Sequence, residues 1–360
     1  MPGLLWRTAV AVGLTATFTS LGTARASWAC GCGAVVAPSG SQVSVPQETS
    51  IVRVNGGREQ IVMQLAMSSA ARNVAWLMPT PSPADVTLGD PDWFSELDAA
   101  AAPKIVYHYY LFPHIHLGGG SSGVGAAPGG PQAGAGTGVD VLRQQRLGPF
   151  QVATIKATDT AALASWLSGH GYHLPGNLAT ALRPYAARDW SYTAVKLTAA
   201  GGGALTGTLT PLSLSFPAQQ PVYPMRLSRL ATERQALHLY ILAPHRVRIL
   251  GGPPLGTLYA GWVTPDQFAA PGLRQLTGGR VFLTDLSATG ITPASISSDL
   301  GLVRTPDTLY QRVTVQQKLA TFAGIPVLAW LVLLVILAVT AFAISLARRG
   351  RKRRSPRISW

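Results

Sequence analysis

Residues 59–67, EQIVMQLAM, place Ile61, Met63 and Leu65 on one side and Val62 and Gln64 on the other, a period of two that predicts a β-strand. The same reading puts strands at 50–54, 73–78 and 104–112, and then at 150–157, 190–197, 205–216, 236–242, 247–250, 281–286 and 309–315. Pro79, Pro81 and Pro83 end the 73–78 strand, because proline has no N–H to give to a ladder. Helices are predicted over 92–100, entered after Pro91, over 159–168 and over 177–187, with a short one after Pro265. The second begins at a capping Thr158 or Asp159 and stops at Gly169 and Gly171. Strands dominate and do not alternate regularly with helices, so the expected class is α+β with sheet dominant.

Two apolar runs break these periods. Near the start, Arg7 is followed by an uncharged stretch over 8–21 that closes on Ala24-Arg25-Ala26, the small-x-small pattern read by signal peptidase. Residues 1–26 are therefore expected to be a signal peptide. Residues 325–346 hold no charge. As a helix at 1.5 Å per residue they would span roughly 33 Å, enough for the hydrocarbon core of a bilayer. Arg348, Arg349, Arg351, Lys352, Arg353 and Arg354 follow at once, and Arg357 soon after. The positive-inside rule holds such a cluster on the cytoplasmic face. The expectation is a single-pass type I protein of the cell membrane, with its ectodomain outside, a transmembrane helix at 325–346 and a basic cytoplasmic tail at 347–360.

Residues 118–138 carry ten glycines in 21 positions, too little apolar surface to offset ordering entropy, and read as a flexible loop. It separates an expected first lobe, 27–117, from a second lobe, 139–320.

Charge changes the picture less than its total suggests. The formal net charge is +14, yet Arg7, Arg25 and the seven basic residues from Arg348 to Arg357 account for all but +5 of it. The high pI thus reports targeting and topology, and nucleic acid is not an expected partner. The lipid bilayer is.

Cys30-Gly31-Cys32 holds the only two cysteines, in a compartment expected to be oxidising. A C-x-C ring is small and strained, so three readings stand: a strained disulfide pinning the N-terminus, intermolecular bonds, or half of a metal site. His114 and His116 share one face of an extended strand and are the candidate metal ligands, although Pro113 interrupts that strand. Matches to G-x-S-x-G and G-x-G-x-x-G fall inside the glycine tract, with no helix after them, and carry no chemistry. Asp85, Asp90, Asp92, Glu96 and Asp98 form one acidic cluster, best suited to capping and solvation. Trp76, Trp93, Trp166, Trp190 and Trp262 suit core packing better than a sugar groove. No motif indicates a cofactor, and its identity stays unknown.

The ordered segments CGCGAVVAP, NVAWLMPTPSP, PFQVATIKATDTAALASWLSGHGYHLP, RDWSYTAVKL, PVYPMRLSRLAT and ALHLYILAPHRV resemble the bacterial domain of unknown function 2330 family, from about Cys30 to about Val315. The resemblance implies an envelope-anchored bacterial protein and supplies no catalytic residue. The expected function is a non-enzymatic binding or assembly module exposed outside the membrane, for an envelope protein or polymer. The alternative is a thiol- or metal-dependent envelope enzyme using the Cys-Gly-Cys motif.

Overall fold

The computed structural model describes residues 29–30, 32–38, 43–110, 139–198 and 203–352. In chain order the strands begin with β1 (Ala29–Cys30), β2 (Gly33–Val36), β3 (Val43–Asn55), β4 (Arg58–Ser69), β5 (Asn73–Thr80) and β6 (Asp85–Leu88). Helix α1 (Asp92–Ala100) and β7 (Lys104–Tyr110) come next, then β8 (Val139–Leu147), β9 (Phe150–Ala157), α2 (Thr160–Gly169) and α3 (Gly176–Ala186). They are followed by β10 (Ser191–Thr198), β11 (Leu205–Thr208), β12 (Leu212–Pro217), β13 (Val222–Tyr223), β14 (Gln235–Ala243), β15 (Val247–Leu250) and β16 (Gly256–Val263). The last elements are α4 (Pro271–Thr277), β17 (Val281–Ile291), β18 (Leu300–Arg304), β19 (Tyr310–Gln311), β20 (Val313–Leu319), β21 (Thr321–Phe322), β22 (Ile325–Pro326) and α5 (Val327–Lys352).

Two sheets carry the fold. One has the order β1-β2-β5-β10-β9-β8, the other β19-β16-β17-β14-β3-β4-β12-β6, with β11 also on β4. Both draw strands from either side of residues 118–138: β5 pairs with β10, and β3 with β14. Their inner faces meet in one core, where Val74, Trp76 and Met78 of β5 and Val195 of β10 face Val52, Ile61 and Met63. The outer face of the first sheet, through Ala75, Leu77, Ile155 and Tyr192, is covered by Leu163 and Leu167 of α2 and Leu178 and Leu182 of α3. The outer face of the second, through Ile51, Val62 and Tyr240, is covered by Phe94 and Leu97 of α1 and Leu273 of α4. The result is four layers, α/β/β/α, sheet-dominated as the periods predicted.

Several predicted elements form with small changes. Asp159 is the cap of α2, its Oδ1 accepting from the N–H of Ala161 and of Ala162 at 2.8 Å each. The predicted strand over 205–216 divides into β11 and β12. Pro211 has no N–H to pair, and the Pro211 carbonyl accepts instead from Gly89 N–H at 2.8 Å. The predicted strand over 309–315 divides into β19 and β20. Helix α5 starts two residues later than predicted, because Ile325–Pro326 pairs back onto Thr321–Phe322. Strands β2, β6, β8, β16 and β18 are additional to those predicted.

Strand direction fixes the end of the large sheet from which the chain departs. Strand β3 runs toward its turn with β4; β14 and β16 run the same way, and β19 runs against β16. The chain therefore leaves the large sheet, through β20, at the end opposite the β3–β4 turn. There β20 pairs in parallel with β7 as a two-stranded ribbon, which leads through β21 and β22 into α5.

Candidate functional site

At the β3–β4 turn lies an open groove of about 1370 Å³. Its floor and walls include Gly57 of the turn, the segment from Pro217 at the end of β12 to Val222 at the start of β13, Arg188 and Trp190 before β10, and Arg304 at the end of β18. Proline at positions 217 and 221 keeps this segment from extending β12, so Gln219 and Gln220 project as a rim. Trp190 is 9% exposed and rests on the Tyr185 ring, with centroids 5.1 Å apart. Among the described residues that line the groove, Arg188 and Arg304 supply two guanidinium groups and no carboxylate opposes them. The groove offers a flat aromatic edge, amide donors and acceptors, and positive charge.

Beneath it the inner core holds two carboxylic acids. Glu59 of β4 is wholly buried; its Oε2 accepts the Val222 N–H at 3.0 Å, while its Oε1 has no hydrogen-bond partner. Burial pushes its pKa up to about 8, against the opposing pull of the Val222 N–H. Glu48 of β3 accepts the Cys32 N–H at 3.1 Å through Oε2 and the Tyr223 hydroxyl through Oε1. The Ser50 hydroxyl also lies 2.9 Å from the Tyr223 oxygen. Burial raises Glu48 to about 7, and its hydrogen bonds to Cys32 and Ser50 pull the other way. Val222 and Tyr223 are neighbours in β13, so the two acids together hold the strand that edges the groove.

The predicted site residues fall in different places. Cys30 pairs through its backbone with Gly33. The Cys32 side chain is buried in the inner core, Sγ 3.6 Å from Met63 Sδ. His114 and His116 lie outside the described residues. Arg348 and Arg349 sit on the last turns of α5, and the helix continues through Arg351 and Lys352; Arg353 and Arg354 lie outside the described residues. No group of three or more His, Cys, Asp or Glu side chains among the described residues is placed to hold a metal ion.

The acidic cluster is dispersed into structural roles. Asp85 pairs with Arg143, Asp90 accepts the Asp92 N–H, Glu96 accepts from Ala269 and Ala270 N–H at 2.8 Å each, and Asp98 accepts the Tyr240 hydroxyl. On the same outer face His238 Nε2 lies 2.6 Å from Asp285 Oδ1, with its ring against Tyr240 at 4.4 Å. Sequence reasoning missed Glu48 and Glu59. A signal for the second was present: the inward face of Ile61, Met63 and Leu65, continued two residues back, reaches Glu59.

A two-sheet domain followed, among the described residues, by one helix long and apolar enough to cross a membrane, Val327–Arg349, defines the class of protein. Within that class, the chain belongs to the DUF2330 family, described as an uncharacterized protein conserved in bacteria, which it matches over residues 26–303. None of the curated proteins compared with it matches. Among solved structures, baculovirus P35 is similar over 73% of this chain and 98% of its own, at 9% identity and a TM-score of 0.35, a likeness too slight to carry an argument.

Proposed function

We propose that this chain is a cell-envelope protein, anchored by α5 with its sheet domain outside the membrane, that acts as a binding or assembly module through the groove beside the β3–β4 turn. The observation that carries this reading is placement. The groove sits at the end of the large sheet opposite the one from which the chain leaves for α5, a position that supports a binding site held apart from the anchor. An anchored receptor or assembly subunit needs that arrangement. Arg188 and Arg304, with the exposed edge of Trp190, suit an anionic envelope polymer or an acidic segment of an envelope protein. The basic residues from Arg348 onward would hold the tail on the cytoplasmic side.

The test is cross-linking of the full-length chain in its own membranes, compared with an R188E/R304E variant. A stoichiometric adduct that the variant loses is expected. An adduct that survives in the variant overturns the groove, and digestion of the sheet domain only after the membrane is breached overturns the orientation.

A further inference from the structure

The β7–β20 ribbon is an anomaly for a protein surface in water. Among the described residues it consists of two strands, and a two-stranded sheet is marginal without a third element to cover it. Yet both faces carry exposed apolar side chains, interspersed with Thr314, Gln316 and Lys318 on one and with Lys104, His108 and Gln317 on the other. Paired residues share a face, so the register of Ile105 with Thr314 and of Val106 with Val315 sorts them. One face shows Ile105, Tyr107 and Tyr109, with Lys318 Nζ 3.8 Å from the centre of the Tyr107 ring. The other shows Val106, Tyr110, Val313, Val315 and Leu319. Tyr109 is 63% exposed, Val315 60% and Val313 54%.

We propose that this ribbon is a membrane-interface element, seated in the headgroup layer of the same bilayer that α5 enters, with a preference for anionic lipid. The inference rests on the anchorage proposed above. Continuity argues for it. Ala320 N–H donates to the Tyr110 carbonyl at 2.9 Å, and Val327 N–H to the Ala320 carbonyl at 2.9 Å, so both strands end at the first residue of the helix. Beside them Phe322, 70% exposed, packs edge-on to Trp330 of α5, whose indole N–H reaches the Phe322 carbonyl at 3.0 Å. Tyrosine and tryptophan collect at the boundary between lipid and water because their rings are apolar and their tips polar.

Length decides how the ribbon lies. Seven residues of strand extend roughly 23 Å, whereas a headgroup layer is only about 5–8 Å thick. Standing upright, the ribbon would lift Ile105 and Val313 well clear of lipid. Those two far-end residues are 47% and 54% exposed, so the whole ribbon needs cover, and it lies along the interface. There Lys104 and Lys318 meet phosphates, and neither strand carries an acidic residue to oppose them. Headgroups and interfacial water also satisfy the backbone groups along its two outer edges that have no strand partner among the described residues.

Full-length protein in phosphatidylcholine–phosphatidylglycerol vesicles, with a photoreactive diazirine on the upper acyl chain, tests this. After irradiation and digestion, lipid adducts are mapped by mass. Adducts are expected on peptides covering Lys104–Tyr110 and Val313–Leu319 as well as on the α5 peptide, and absent from Gly256–Val263. Their loss from the ribbon peptides alone when phosphatidylglycerol is omitted would support the anionic preference. Adducts on α5 without the ribbon overturn the inference and leave the anchorage standing. Adducts on the ribbon without α5 support the interface and overturn the anchorage; adducts on neither overturn both. Cross-links from ribbon to ribbon, without lipid adducts, would make the occupant a second copy and overturn the inference.

Discussion

Glu59 Oε2 accepts the backbone N–H of Val222 at 3.0 Å from inside the core, so a buried acid holds the strand at the rim of the groove. Together with Glu48, which accepts the Tyr223 hydroxyl, it ties β13 to the large sheet. Both acids have raised pKa values, about 8 and about 7, from an ordinary 4.5. That shift has a sign. Below about pH 4.5 folded and unfolded chains are both protonated and the acids cost nothing. As pH rises from there toward 8, the unfolded chain gives up its protons first and stability falls. The expected slope is at most on the order of 1.4 kcal/mol per pH unit for each acid. Glu59→Gln keeps an acceptor for Val222 and removes the titration. Denaturant melts across pH 4.5 to 8.5 should show a flatter profile for the variant; an unchanged profile would assign the slope to other groups.

The fourth residue of the Cys-Gly-Cys-Gly opening has a steric reason. A Cβ at Gly33 would stand 2.6 Å from Trp76 Nε1 and 2.7 Å from the Leu77 carbonyl, both fully buried. Gly33→Ala is expected to destabilise the sheet domain by about 1–3 kcal/mol, the usual cost of overpacking. Thermal melts of the variant check this, and a shift within error would mean that β2 moves aside freely.

Removing the cap of α2 should be milder. Asp159→Ala frees the N–H groups of Ala161 and Ala162 and is expected to cost about 1 kcal/mol. Asp159→Ser should recover most of that loss in the same urea titration.

Termination after Leu319 deletes α5 and the β21–β22 pair while leaving both large sheets intact. The truncated chain, which keeps the β7–β20 ribbon, should be released from the membrane fraction by high salt and keep a cooperative melt. Retention of all the protein on membranes at high salt would transfer the anchoring role to another segment.

Elements were legible in the sequence where a period meets a single solvent boundary. Helix α1 forms over the residues predicted, because Phe94 and Leu97 recur at helical spacing on its one buried face. The transmembrane candidate needed only length and lack of charge. Strand β5 was readable as a strand, but not its neighbours: it is buried on both faces, so Val74 to Met78 shows no alternation to say which side meets which sheet. Strand β8 was silent for the opposite reason. It is an edge strand whose residues from Asp140 to Gln144 are exposed on both sides. The groove was illegible because Gly57, Trp190 and Arg304 meet only in the folded chain, through contacts remote in sequence such as the pairing of Val222 with Gly301. Glu48 sits inward beside Ser50 in a strand whose two faces are both buried, and so looked like an ordinary polar position.

The central pairing of the large sheet has a consequence in time. Strand β3 lies between β4, which comes immediately after it, and β14, which begins only at Gln235. A chain emerging N-terminus first can close the β3–β4 hairpin early, but one side of β3 then stays open until β14 arrives. Non-local parallel pairing is slow to form and exposes strand edges meanwhile. A nascent chain of this kind therefore passes through a long adhesive interval, and its yield in the cell should depend on holdase chaperones that shield β3 until Gln235–Ala243 has emerged.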